Sequence, residues 1–189
     1  MSIFSQNLHE HNDLFARLGG LDESVAQSGK AIAQSLQHGG KVMFCGNGGS
    51  AADSQHLAAE FTGRFIKDRR PLAALALSTD SSALTCIAND YSFDQVFSRQ
   101  VAALGRTGDC LVGISTSGNS SNVLRALEVA REIGVITIGL LGRDGGDIKR
   151  LCDVAIVVPS QTTARIQEAH IIIGHTLCEI VECELGVNG

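Results

Sequence analysis

The chain has 189 residues, 44% of them apolar, a formal net charge of −5, no tryptophan and a single tyrosine. That length and apolar share suit one packed domain and exclude a disordered chain. The acidic balance and the scarcity of aromatic rings remove the charge and stacking features that would hold a nucleic acid or an anionic membrane, so neither is expected as a partner.

In chain order, residues 3–18 set Ile3, Phe4, Leu8, Leu14, Phe15 and Leu18 at helical spacing, and Gly19-Gly20 closes the segment. A second helix follows, capped by Asp22 or Ser24, with Val25, Ile32 and Leu36 turned inward. Two amphipathic helices ahead of any strand have no sheet to lie on, so they cover one end of the domain or pack against another subunit. The first residues lack the basic start and apolar core of a signal peptide, and no run is long enough to span a bilayer, so a cytoplasmic protein is expected. His9, His11 and His38 stand in polar surroundings and are expected on the solvated surface.

From residue 40 the pattern alternates. Short runs apolar on both faces, at 41–45, 72–77, 109–114, 135–140 and 154–158, read as strands. Helical segments fall at 50–65, 81–103 (interrupted near Asn89-Asp90), 120–132, 145–151 and about 162–185. This predicts an α/β domain: a three-layer α/β/α sandwich on a central, mostly parallel five-stranded sheet. The whole of 1–189 forms one unit, with 1–39 as a helical extension used in packing and 40–189 as the α/β core. The six cysteines (Cys45, Cys86, Cys110, Cys152, Cys178, Cys183) sit mostly inside apolar runs with no CxxC pair, as small buried thiols do.

In such sheets ligands collect where strands end and loops enter helices. The first such loop is Gly46-Asn-Gly-Gly49, leading into a helix capped by Ser50. Glycines there let backbone N–H groups approach a ligand, and a helix start favours an anion. On that helix His56 and Glu60 are four residues apart and project from one face, a spacing at which imidazole and carboxylate can hold one divalent metal. Without context, such a pair is also an ordinary surface pair. The third strand runs into Ser115-Thr-Ser-Gly-Asn-Ser120, four hydroxyls in six residues. Hydroxyls and the amides of a helix start can surround a phosphate, and the absence of GxxxxGK[ST] favours a monophosphate ester over a nucleoside triphosphate.

Gly46-Asn-Gly-Gly-Ser-Ala-Ala-Asp53, Ser115-Thr-Ser-Gly-Asn-Ser120 and Arg165-Ile-Gln-Glu-Ala-His170, in that order, resemble the sugar-isomerase (SIS) domain. The likeness is strongest to its phosphoheptose isomerase branch, which acts on sedoheptulose 7-phosphate, and it covers nearly the whole chain. It implies isomerisation to D-glycero-D-manno-heptose 7-phosphate through a metal-assisted enediol, the first step toward ADP- or GDP-heptose, with lipopolysaccharide one destination among several. It implies one zinc per subunit, held by residues matching His56, Glu60, Gln167 and His175, with Glu60 as general base and His175 as general acid. It also implies substrate contacts at Asn47-Gly48-Gly49, Asn89, Asp90, Ser115-Thr116-Ser117, Ser120, Gln167 and Glu60. Ser50 beside the glycine turn and Arg64, one turn beyond Glu60, join these as candidates, an exposed or ion-paired role being equally open to Arg64.

Gln167 and His175 are eight residues apart, about 12 Å along a straight helix. Either both side chains lean toward one ion, or the two come from different subunits, which would put the site at a subunit interface and require an oligomer; the resemblance implies a homotetramer. His170 and Glu168 are the neighbouring alternatives to His175 and Gln167. Two rival functions remain. One is a non-catalytic SIS module that binds a phosphosugar or DnaA, which lacks the metal and acid–base set present here; the other is an isomerase of another sugar phosphate.

Overall fold

A computed structural model describes residues 1–187; positions 188–189 of the expected core lie outside the described residues. Five strands form one sheet in the order β2-β1-β3-β4-β5, every neighbouring pair parallel. They are β1 (Val42–Gly46), β2 (Ala74–Ala76), β3 (Cys110–Ser115), β4 (Ile136–Gly142) and β5 (Val154–Val158). β1 and β3 are buried along their full lengths, which is why their sequences are apolar without alternation. Val42 stands opposite Cys110 and Gly46 opposite Ile114, so β1 and β3 end level with each other.

The helices are α1 (Ile3–Phe15), α2 (Asp22–Gln37), α3 (Gly49–Thr62), α4 (Ser81–Asp90), α5 (Ser98–Leu104), α6 (Ser121–Glu132) and α7 (Thr163–Glu184). Ile32 and Leu36 of α2, Leu57 and Phe61 of α3, and Ile166, Ile173 and Leu177 of α7 pack with Val42, Phe44, Val112 and Ile138 on one face of the sheet. Val101 of α5 and Val123, Ala126 and Leu127 of α6 pack with Met43, Cys45 and Leu111 on the other. The result is the expected three layers. Burying one such aliphatic side chain contributes about 1.5–3 kcal/mol.

Several expectations change locally. The segment 145–151 is no α-helix: Gly145 and Gly146 have φ of +90° and +51°, which no right-handed helix admits, and only the single 3-10 turn Lys149–Leu151 remains. β2 is shorter than 72–77 because it lies at the sheet edge, and the Leu72 amide turns to the Phe61 carbonyl instead of the ladder. Neither Asp22 nor Ser24 caps α2. A 3-10 turn over Leu18–Leu21 runs directly into it, and the Ser24 hydroxyl donates to the Leu21 carbonyl.

Ser50 is likewise not a cap, since α3 begins at Gly49 with Gly48 in the capping position and Ser50 buried in the first turn. Burial pushes the thiols of Cys45, Cys110, Cys152 and Cys178 up to about 12, whereas Cys86 and Cys183 are exposed. His11 is no free surface residue. Its ring stacks on Phe15 with centroids 3.8 Å apart, and its Nδ1 is 2.9 Å from Glu168 on α7, which fastens α1 to the core. Among the described residues no helix is long and apolar enough to cross a membrane.

His170, on α7, is 1% exposed, and burial lowers its imidazole from the ordinary 6.5 to about 4, the Leu141 carbonyl opposing only in part. The unfolded chain therefore takes up a proton below pH 6.5 that the native chain refuses. Stability from this group is complete above pH 6.5 and is lost as the pH falls toward 4, by about 3 kcal/mol at most. Urea unfolding of His170→Leu across that range is expected to show a flatter pH dependence than the unsubstituted protein; an unaltered slope would exclude His170 as its source.

Candidate active site

After β1 the chain crosses to β2 on one side, and it then returns to lay β3 on the other. The two loops leaving β1 and β3 therefore diverge at the carboxyl edge of the sheet and open a crevice between them, the usual ligand position in this architecture. A reciprocal pair of amides ties these loops together. Asn47 Nδ2 donates to Asn122 Oδ1 at 2.8 Å, and Asn122 Nδ2 donates to Asn47 Oδ1 at 2.8 Å. Asn122 is 2% exposed and also accepts from the Val123 amide. Sequence reasoning passed over it. The available signal was a polar side chain four residues before Ala126, on the buried face of an amphipathic helix.

The serine loop curls on itself at the start of α6. Ser115 Oγ lies 2.9 Å from Ser120 Oγ and 3.4 Å from Ser117 Oγ, and it accepts from the Gly118 amide. Ser120 occupies the capping position of α6, yet its hydroxyl faces Ser115 instead of capping the helix. Three hydroxyls thus converge beside the positive end of a 12-residue helix. The loop after β4 supports it from behind: Ile148 N–H donates to the Gly118 carbonyl, and Asp147 N–H donates to Asn119 Oδ1.

His56 and Glu60 on α3 meet His175 on α7. His56 Nε2 is 2.8 Å from His175 Nε2 and 3.4 Å from Glu60 Oε1, and one ligand atom from each residue lies within 4.8 Å of the other two. At 2.8 Å the two imidazoles share one proton, one ring donating and the other accepting. Two imidazole nitrogens and a carboxylate oxygen are the donor types that zinc takes, and tetrahedral bonds of about 2.0–2.1 Å would need the donors only about 3.3 Å apart. The residues present fit such an ion. Phe65 flanks the cluster, its ring centroid 5.4 Å from that of His175. Asp53, one turn before His56 and not singled out in the sequence, has its carboxyl raised by burial against the opposing pull of His56.

Other candidates are placed differently. The carboxamide of Gln167 lies against Gly49, where a Cβ would come within 2.2 Å of its Nε2, so that position admits only glycine without displacing the amide. This is two turns of α3 away from His56. Asn89 and Asp90 lie at the exposed end of α4, where Asn89 Nδ2 donates to Asp90 Oδ1 and Cys86 Sγ to Asp90 Oδ2. The Asn89 bond first, and the thiol second, hold Asp90 below the usual carboxylate range. Arg64 is exposed and donates to the Ile66 carbonyl. Of the two alternatives, His170 is buried outside the cluster, and Glu168 pairs with Arg165 and His11.

Comparison with known proteins gives a consistent result. Residues 8–142 match the SIS domain family. The phosphoheptose isomerase of Rhodospirillum rubrum is 57% identical over 170 residues, covering 90% of this chain and 90% of that protein. That of Helicobacter hepaticus is 51% identical over 188 residues, covering 100% of this chain and 94% of that protein. Among solved structures, the phosphoheptose isomerase of Neisseria gonorrhoeae is 48% identical and superposes with a TM-score of 0.90, covering 95% of this chain and 97% of that one.

The amide pair between the two loops makes a measurable claim. Asn122→Ala leaves the Asn47 amide without its two bonds and is expected to cost about 1–3 kcal/mol in urea unfolding. Asn122→Asp, which keeps the acceptor and loses the donor, is expected to fall between that variant and the unsubstituted protein.

Proposed function

Because the chain belongs to the SIS-domain family of phosphoheptose isomerases, an aldose–ketose isomerase activity is the premise, and from it we propose the substrate, metal and residue roles. The substrate is sedoheptulose 7-phosphate and the product D-glycero-D-manno-heptose 7-phosphate, formed in the cytoplasm as a precursor of nucleotide-activated heptose. The observation that carries the reading is the cluster of His56, Glu60 and His175, which α3 and α7 bring together on one face of the sheet.

The phosphate is seated by Ser115, Thr116, Ser117 and Ser120, with the first amides of α6 supplying further donors. The sugar chain then runs toward α3, past Asn47-Gly48-Gly49, Ser50 and Gln167, with Asn89, Asp90 and Arg64 closing from the side. A proton must leave C1 while the C2 carbonyl is polarised, and the oxygens must exchange protons in the cis-enediol. Glu60, with a side chain 23% exposed, is the base that takes the C1 proton. His175, an imidazole placed beside His56 and Glu60, supplies and withdraws the proton at oxygen. Zinc would be held by His56, Glu60 and His175, with Gln167 as a fourth ligand supplied by another subunit or moved from its seat beside Gly49, and would provide Lewis-acid polarisation of the carbonyl.

The protein works as a homotetramer, with residues 1–39 as packing helices of one SIS unit spanning 1–189. Supporting this, Ile3 and Phe4 of α1 are 81% and 76% exposed, an apolar edge that a second copy would cover.

Incubating metal-analysed protein with sedoheptulose 7-phosphate and following aldose formation by NMR tests the substrate. Glu60→Gln is expected to lower kcat by about a hundredfold to ten-thousandfold with the fold unchanged; near-normal turnover would remove Glu60 as the base. Light scattering is expected to give a tetramer, and Phe4→Asp with Leu8→Asp a smaller and less active species. A fully active monomer would overturn the assembly.

A further inference from the structure

Arg69 and Glu182 form an ion pair with both side chains 2% exposed, Arg69 Nε lying 2.6 Å from Glu182 Oε1. Burying two charges costs more than a surface pair returns, and an apolar pair of similar volume is often at least as stable. Stability alone therefore does not account for this pair. Its remaining contacts suggest what it does.

The last carbonyls of α3 have no intrahelical partner. Arg69 Nη2 donates to the Glu60 carbonyl at 2.8 Å, and Nη1 donates to the Phe61 carbonyl at 2.9 Å and the Gly63 carbonyl at 3.3 Å. The guanidinium thus closes the carboxyl end of α3, where a positive charge also suits the helix dipole. Its other edge is held by Glu182, seven residues beyond His175 on α7 and so on nearly the same helix face. Glu182 Oε1 also accepts from the Phe65 amide at 3.2 Å, and the Phe65 ring flanks His175.

One turn before Glu60, Leu57 packs directly on Gly174, where a Cβ would come within 2.6 Å of a Leu57 methyl. The two helices are therefore in contact beside His56 and His175 and fastened again just past Glu60. Two fixed points remove both sliding and rotation of α3 against α7.

We infer that Arg69, paired with Glu182, is a positioning residue that sets the spacing between the α3 donors His56 and Glu60 and the α7 donor His175. Arg69 touches none of the three donor side chains; it acts through the backbone of Glu60 and the seating of Phe65. The inference rests on the metal reading of the cluster, and its test keeps the two apart.

The test is a cobalt(II) titration of the metal-stripped full-length protein, read by its visible absorption, alongside thermal unfolding. The unsubstituted protein must bind cobalt, and His56→Ala must abolish the signal; failure there overturns the metal reading itself. Arg69→Met with Glu182→Leu removes both charges without leaving one unpaired, and it is expected to unfold cooperatively, at a lower temperature because the Glu60 and Gly63 carbonyls and the Phe65 amide lose a partner, yet when folded to bind cobalt about 10- to 100-fold more weakly. Should that variant not fold, Arg69→Lys serves, because one ammonium cannot span Glu182 and two carbonyls at once. Its cobalt affinity is expected to fall in the same direction. A role confined to stability would lower the unfolding temperature and leave the affinity of the folded protein intact. Cobalt affinity within twofold of the unsubstituted protein in a folded variant overturns the inference.

Discussion

The close passage of α3 against α7 is the constraint on which the rest of the site depends. Gly49 faces Gln167 at the start of α3, Leu57 faces Gly174 in its middle, and Arg69 joins the Glu60 carbonyl to Glu182 at its end. The partners advance together along both helices, so the two run parallel. His56 and His175 can meet only because Gly174 lacks a side chain that would hold the helices apart. Separating them by the width of one methyl group would open a 2.8 Å contact beyond hydrogen-bonding reach.

The two edges of the sheet carry different loads. At the amino-terminal edge, buried Asp109 accepts from the amides of Lys41 and Arg106 and pairs with the Lys41 ammonium, closing the entries to β1 and β3. Each of those charge-assisted bonds has a structural partner in place, and none faces the crevice. At the carboxyl edge the polar groups are shared among loops distant in sequence. Asn47 and Asn122 lie 75 residues apart and hold each other's amide in one orientation. A group pre-ordered by a neighbouring loop loses less freedom when it binds a ligand, which is the advantage of joining the two loops before substrate arrives.

The serine loop follows the same logic. Its hydroxyls are oriented by one another and by the Gly118 amide, and the backbone of the β4 loop supports them from behind. The glycines after β4, which prevent a helix in that crossover, are also what lets the loop approach so closely. A Cβ at Gly146 would come within 2.5 Å of the Gly118 carbonyl. The absence of a helix over 145–151 therefore serves the neighbouring loop.

Much of this was legible in the residues themselves. Unbroken apolar runs identify strands buried on both faces, and those of β1, β3, β4 and β5 fall within two residues of their expected limits, because burial on two sides leaves no room for alternation. The His56–Glu60 pair and the serine-rich loop were equally visible, because helix periodicity and local composition determine them. Three matters were decided only by the tertiary structure. The family resemblance aside, the choice of His175 over His170 depends on which face of α7 meets α3, since both histidines lie on that one helix. Asn122, Asp53 and the Arg69–Glu182 pair act through partners or burial that spacing does not disclose. The crossover at 145–151 turned on two positive φ angles, set by packing against Gly118 and not by the apolar pattern. Local chemistry follows from the order of residues along the chain; which of them converge depends on helices pressed together across more than a hundred residues of sequence.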